Sequence, residues 1–270
     1  MVINYIYKLS DKGRAKPKLD IATKMNCLDN FIEEFKTNIT VLADNCEQST
    51  IDQIKMRGLT PIELSLGNSE NTRYAMQFAI DNFPKDSYVY FVEDDYVHLP
   101  GSLLALQEGL LIADYVSLYD NPDKYVNAKD GGPNPYIVNG GEDSTVMLSK
   151  NFHWKTTNSV TMTFAASIKV LEEDKPIWWA FTATKISNSF FAFRVLTRQA
   201  FSFSKGSLRE YVRSVRRYRE FLTIKAQSKQ KRILINAIPG LSTHAETAWL
   251  TPLTHWHSIK SWEEAGKHHQ

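Results

Sequence analysis

The chain is expected to fold as an α/β domain with a mostly parallel central sheet flanked by helices. Three observations predict this. Short apolar runs rich in β-branched and aromatic residues recur at 3–7, 39–43, 62–66, 88–92 and 115–119, the composition of buried strands. Most are separated by stretches with apolar residues at helical spacing, and strands alternating with helices through short connections build parallel sheets. Polar residues follow these runs: Asp44, Asn68, Asp95 and Asp120. A polar residue at a strand end is ordinarily a turn former, but four on one edge of one sheet point to a site, because such sheets bind ligands beyond the carboxyl ends of their strands.

The elements follow in order. After strand 3–7, residues 8–18 are polar, carry Gly13 and Pro17, and read as a loop. Ile21, Met25, Leu28, Ile32 and Phe35 recur at helical spacing, giving a helix over 20–36. Strand 39–43 ends at Asp44-Asn45, and strand 62–66 ends in Gly67-Asn68-Ser69. A helix over 70–82 carries Tyr74, Phe78 and Ile80, and strand 88–92 runs into Glu93-Asp94-Asp95. Pro100 opens a helix containing Leu103, Leu104, Leu106 and Leu110. Strand 115–119 ends at Asp120, and the Gly- and Pro-containing stretch 120–144 is a long loop of the kind found beside sites. Strands are expected at 146–148 and 160–164, a short helix over 168–173 stopped by Pro176, and a buried apolar segment over 189–196. The expected organisation is a catalytic core over 1–204, a basic amphipathic segment over 205–232, and a C-terminal segment over 233–270 that returns to the site.

Composition sets the limits. With 270 residues, 43% of them hydrophobic, the chain can bury a full core. A net charge of +2 with 23% charged residues is that of an ordinary globular chain. Cys27 and Cys46 do not form a disulfide framework, which suits a reducing compartment. Met1-Val2-Ile3-Asn4-Tyr5 lacks the charged-then-apolar layout of a signal peptide, and no apolar run approaches the ~20 residues that span a bilayer. A cytoplasmic protein is expected, with peripheral contact at a membrane surface left open.

The chemistry concentrates at Glu93-Asp94-Asp95. Three carboxylates at a strand tip cannot all be ionised and unpaired without large repulsion. A divalent cation is the simplest relief, and hard oxygen ligands favour Mg²⁺ or Mn²⁺, ions commonly shared with substrate phosphates. The bland alternative is a solvated turn before Pro100.

These features resemble the GT-A class of nucleotide-sugar glycosyltransferases, close to the family-2 type, whose fold is a Rossmann-like α/β sheet. Four pieces carry the resemblance: the opening unit from strand 3–7 to Asp44-Asn45, the DXD-like triplet Glu93-Asp94-Asp95, the acceptor-side stretch Thr161-Met162-Thr163-Phe164-Ala165, and the late segment from Pro239 to Glu246 that returns His244. The resemblance implies a nucleoside diphosphate sugar donor of UDP or GDP type, a glycan or lipid-linked acceptor, and Mn²⁺ or Mg²⁺ as cofactor. Asp44 would lie near the base or ribose, Lys8 would pass over the nucleotide, and Asn68 and Arg73 would close another side. Asp95 would bind the metal, assisted by Glu93 or Asp94, and His244 would add a contact to the metal or diphosphate. His98, His153, His255 and His257 read as packing or acceptor-site residues, and His268 and His269 lie at the C-terminus.

An inverting transferase needs an acceptor-side carboxylate as base. In the family it opens a helix after the acceptor-side strand, but the equivalent stretch here, 186–190, has no acid. Asp174 and Glu173 are the candidates, with Glu142-Asp143 in a Gly-preceded hairpin as a lesser pair. Inversion is favoured, and retention without an enzymic base is the alternative. Trp249 is the preferred acceptor-stacking residue, ahead of Trp178, Trp179 and Trp256. The segment 205–232 holds ten basic residues against Glu210 and Glu220; a solvated face, an anionic membrane surface or diphosphate contact would each use it, and no nucleic-acid-binding module accompanies it. Two rivals remain: a sugar nucleotidyltransferase, which would need a Gly-rich loop where this chain has only Gly13, and a non-catalytic nucleotide-sugar-binding module.

Overall fold

Along the first strand, Tyr5, Tyr7 and Leu9 join one apolar cluster while Ile6 joins another. A strand buried on both faces is a central one, so its apolar run is continuous rather than alternating. The computed structural model describes residues 1–13, 16–132, 134, 137, 139–183, 188–198, 218, 221–222, 224–228 and 230–259. Its strands are β1 Ile3–Ser10, β2 Ile39–Asp44, β3 Ile62–Leu64, β4 Tyr88–Glu93, β5 Tyr96–His98, β6 Tyr115–Ser117, β7 Val146–Leu148, β8 His153–Thr156, β9 Phe164–Ser167, β10 Leu234–Ala237 and β11 Ser242–His244. Its α-helices are α1 Lys24–Phe35, α2 Gln48–Met56, α3 Asn68–Asn82, α4 Ser102–Gly109, α5 Ile168–Phe181 and α6 Ser189–Leu196.

Nine strands form one sheet in the order β3-β2-β1-β4-β9-β6-β10-β8-β7. Only β9 and β8 run against the other seven. This is the mostly parallel, helix-flanked α/β architecture expected. One face packs on α1 and α4 through Phe31, Phe35 and Leu106. The other packs on α3, α5 and α6, where Phe164 stacks on Trp178 with ring centroids 5.2 Å apart and Phe193 closes edge-on.

The differences from expectation have local causes. Helix α2 was not anticipated because its buried stripe is only Ile51 and Ile54. Strand β9 starts at Phe164, so Thr161 and Thr163 lie on the approach to it, and the Thr161 hydroxyl meets the Tyr96 hydroxyl at 2.7 Å. Helix α5 continues through Pro176, because Ile177 and Trp178 beyond it are buried in the core. Strands β5 and β11 pair antiparallel in a small second sheet. Strand β10 lies between β6 and β8, so the C-terminal segment contributes residues 234–237 to the main sheet itself. The basic segment expected over 205–232 falls largely outside the described residues.

Strand β9 runs backwards, pairing Ser167 with Tyr88 at the amino end of β4. It therefore launches α5 from the sheet edge opposite the acidic tip. There Arg232 takes Asp174 in a two-pronged pair, Nε to Oδ2 at 2.8 Å and Nη2 to Oδ1 at 3.0 Å, and reaches Glu173 at 2.7 Å. The Tyr115 hydroxyl donates to Asp174 at 2.8 Å. The expectation that Asp174 or Glu173 is the catalytic base is corrected by this placement: both are engaged by Arg232 on the far edge. Arg232, expected on an exposed basic face, is instead a buried hub. Asp174→Ala removes the two-pronged, buried partner of that guanidinium and leaves it only Glu173 and Asp114; it is expected to lower unfolding free energy by about 3 kcal/mol in urea titrations. Glu173→Gln, at a half-buried position, is expected to cost about 1 kcal/mol or less and to leave nucleotide affinity by calorimetry unchanged.

Candidate active site

The parallel register brings chemistry to one edge. Ser10 at the end of β1 sits beside Asp44 at the end of β2, and Lys8 sits beside Glu93 at the end of β4. The strand ends open into a cleft of about 340 Å³. Of the residues singled out in the sequence, Lys8, Asp44, Asn68, Glu93, Asp94, Asp95 and His244 all border it. Ser10, Lys12 and Asn71 border it too. The sequence reading missed Asn71 within a helix, whereas the lysine density of the loop after β1 was a visible signal for Lys12.

The three acids are not left to repel one another. Glu93 has the Lys8 ammonium at 3.5 Å, and its backbone N–H donates to the Thr163 hydroxyl at 3.2 Å. Asp94 accepts the Ser10 backbone N–H at 3.0 Å. Asp95 Oδ2 has Lys18 Nζ at 3.2 Å and His244 Nε2 at 3.3 Å. A divalent cation, the simplest relief expected for this triplet, thus has company: each acid has its own protein partner. Burial, with the neighbouring Asp95 adding to it, still pushes the Asp94 carboxyl up to about 7.

His244 reaches the cleft through β11, whose pairing with β5 sets it opposite Tyr96, and its ring lies edge-on to Tyr96 with centroids 5.3 Å apart. Its Nδ1 accepts the Glu246 backbone N–H at 3.1 Å. A neutral ring that accepts at Nδ1 carries its proton on Nε2. That nitrogen lies 3.3 Å from Asp95 Oδ2, which places His244 beside the acid expected to hold the metal. The backbone closes around the same point: Ala245 N–H donates to the Asp95 carbonyl at 2.7 Å, Leu19 N–H to the Ala245 carbonyl at 3.0 Å, and Thr247 N–H to the Pro17 carbonyl at 3.0 Å.

Asp44 is buried and its oxygens accept Leu66 N–H at 2.6 Å, Gly67 N–H at 2.9 Å and the Asn45 amide at 3.1 Å. It fixes the turn into α3, where Gly67 adopts φ 86°, a conformation that favours glycine. Arg73 does not close the cleft as expected. It turns away to α5, donating to the Trp179 carbonyl at 3.0 Å and stacking over that indole. The buried Oδ1 of Asn71, in the first turn of α3, has no hydrogen-bond partner.

The remaining aromatic and histidine candidates divide. Trp178 and Trp256 are core residues, whereas Trp249 is half-buried and accepts the Tyr119 hydroxyl at its carbonyl, 2.7 Å away. His98 is buried against Tyr90, 2.8 Å from its hydroxyl, and burial pushes its pKa down to about 3. On the same sheet edge, Asp120 is held by Lys155 at 2.9 Å, by Asn236 at 3.1 Å and by the Tyr125 hydroxyl. Glu142 accepts Asn158 N–H at 2.7 Å and the Thr157 hydroxyl at 2.8 Å. Among the described residues no group of three or more His, Cys, Asp or Glu side chains converges to hold a metal ion, and no helix is long and apolar enough to cross a membrane.

No family model matches the chain, and no curated protein matches it. Among solved structures it is similar to glucosyl-3-phosphoglycerate synthase from Mycobacterium tuberculosis in complex with Mn²⁺, UDP and phosphoglyceric acid, at 11% identity over 85% of this chain and 80% of that one, with a TM-score of 0.40. It is similar to a cytidylyltransferase from Leptospira borgpetersenii at 11% identity over 85% and 98% of the two chains, TM-score 0.39. It is also similar to CMP:2-keto-3-deoxy-manno-octonic acid synthetase complexed with CTP, at 10% identity over 89% and 92%, TM-score 0.42. All three are distant likenesses of fold.

The raised Asp94 carboxyl has a consequence for stability. A carboxyl whose folded pKa lies above its unfolded value takes up a proton on folding, so its contribution is fullest below the ordinary aspartate value of 3.8 and fades as pH rises toward about 7. Urea midpoints of the metal-free protein are expected to show this decline between those limits. Asp94→Asn is expected to flatten it, and an unchanged slope would assign the proton elsewhere.

Proposed function

We propose that this chain transfers a sugar from a nucleoside diphosphate donor, of UDP or GDP type, to a glycan or lipid-linked acceptor, with Mn²⁺ or Mg²⁺ as cofactor. The observation that carries the reading is the cleft, which joins lysines and carboxylates at the ends of β1, β2 and β4. A diphosphate needs cationic neighbours, which Lys8 and Lys12 provide. The first turn of α3 adds the positive end of a helix. Asn71 offers there a buried oxygen still lacking a donor, which suits a ligand rich in hydrogen-bonding groups, such as a nucleoside.

The donor set fits a hard ion that is only partly held by protein. Mg²⁺ is ordinarily bound by one or two carboxylates, with phosphates and water completing the octahedron. Asp95, with Asp94 or Glu93, would hold it. When bound, such an ion stabilises charge on the departing diphosphate as a Lewis acid. The chain's own part is to position and neutralise. The Ser10 N–H fixes Asp94, the Ala245 N–H holds the Asp95 backbone with His244 beside its carboxylate, and Lys8 and Lys12 face the charge that grows on the leaving group, favouring the transition state over the ground state. The base of an inverting reaction is not assigned to Asp174 or Glu173.

That engagement of the candidate bases favours one second reading, a binding module that keeps the donor cleft without turnover. Release of nucleoside diphosphate from a UDP- or GDP-sugar, with and without Mn²⁺, separates the two. An enzyme is expected to release it in a Mn²⁺-dependent manner, and Asp95→Ala is expected to lower that rate and Mn²⁺-dependent nucleotide affinity at least about tenfold. Undiminished metal dependence in Asp95→Ala would remove the ion from this tip.

A further inference from the structure

The geometry points to Lys18 as a built-in counter-ion that occupies the metal's place at Asp95 and that a divalent cation must displace. The inference rests on the functional reading above and deepens it. Lys18 Nζ lies 3.2 Å from Asp95 Oδ2, the carboxylate expected to hold the ion. Its side chain is 27% exposed and that of Asp95 18%, so the pair is sheltered yet open to solvent, and Asp95 itself lines the cleft.

The ammonium is not there by the drift of a long side chain. The backbone of Lys18 bridges to Glu246, Thr247 N–H donates to the Pro17 carbonyl before it, and Leu19 N–H donates to the Ala245 carbonyl after it. Lys16 adds a 2.7 Å pair to Glu246. The segment so clasped is the one whose Ala245 N–H holds the Asp95 carbonyl. Lys18 is therefore anchored to the same backbone unit that positions its partner.

A metal ion bonded to a carboxylate oxygen sits at ~2.1 Å from it. An ammonium 3.2 Å from an oxygen of the same carboxylate would then lie within a few ångströms of a doubly charged ion. At that separation the repulsion between unlike-ranked cations exceeds what one shared carboxylate repays, so the two occupy Asp95 alternately. A diphosphate changes the balance, because its oxygens give the displaced ammonium a new partner. Metal and nucleotide then bind with positive coupling, and Lys18 is the residue through which the coupling acts.

The test measures Mn²⁺ affinity by the electron paramagnetic resonance signal of free Mn²⁺, without nucleotide and then with UDP. Lys18→Met is expected to tighten Mn²⁺ about fivefold without nucleotide and to shrink the factor by which UDP enhances it. Lys18→Arg, which keeps the cation, should behave as the unsubstituted chain. Lys16→Met removes the same charge nearby without contact to Asp95 and should change affinity less than about twofold. Unchanged or weaker Mn²⁺ binding in Lys18→Met, or equal tightening in Lys16→Met, overturns the inference. If Asp95→Asn abolishes Mn²⁺ binding in that event, the metal reading stands without it. If neither the unsubstituted chain nor Lys18→Met binds Mn²⁺ at all, both fall.

Discussion

The site depends on the parallel register of β1 with its two neighbours. β1 pairs with β2 on one side and β4 on the other, and is buried on both faces. Because side chains alternate with a period of two, a slip of one residue would exchange Lys8 with an apolar neighbour and carry Tyr7 toward the opposite layer. The aromatic packing of Tyr5 and Tyr7 on Phe31 and Phe35 forbids that slip. The same contacts that fill the core thus decide that Lys8 stands beside Glu93 and Ser10 beside Asp44.

The small β5–β11 sheet completes the edge. It returns a segment nearly 150 positions downstream of β4 to within a hydrogen bond of Asp95, and the loop after β1 is stapled onto it. Charge at the tip is therefore balanced by groups from three parts of the chain: Lys8 and Ser10 from β1, Lys18 from the loop, and His244 from β11. The three acids border the cleft together with Lys8, Ser10 and His244, where a phosphate or a cation can compete for them.

Much of this edge was legible before the structure, and the reasons are local. Strand 88–92 and its three acids form a contiguous signal, Asp44 follows an apolar run directly, and Asn68 follows one after a single glycine. Arg73 and Asp174 were misjudged for a different reason: proximity in sequence to a site element says nothing about direction. Arg73 is one turn along α3 from Asn68 but turns to α5, and Asp174 follows β9, whose reversal within the sheet sends α5 to the far edge. Strands of three residues such as β5 and β11 are too short to show a period, so the pairing that places His244 beside Tyr96 had no signature of its own. Lys18 lay within a polar loop whose backbone partners are all remote.

The two edges of the sheet now explain each other. At the amino edge, Arg232 meets Asp174 at 2.8 Å with exposures of 1% and 2%. Charges sealed and matched like that are costly to separate and have nothing left to offer a ligand. At the tip of β4, on the carboxyl edge, the pairs are looser: 3.5 Å for Lys8 with Glu93, 3.2 Å for Lys18 with Asp95, and 3.3 Å for His244 with Asp95. Partly hydrated pairs of this length contribute little to stability, so selection for folding alone does not account for gathering them at one tip. What they retain is exchangeability. An acid whose partner can be traded for another cation is an acid that can answer to a ligand, and that difference in pairing, more than the count of acids, is what supports the proposal that ligands bind at the end of β4.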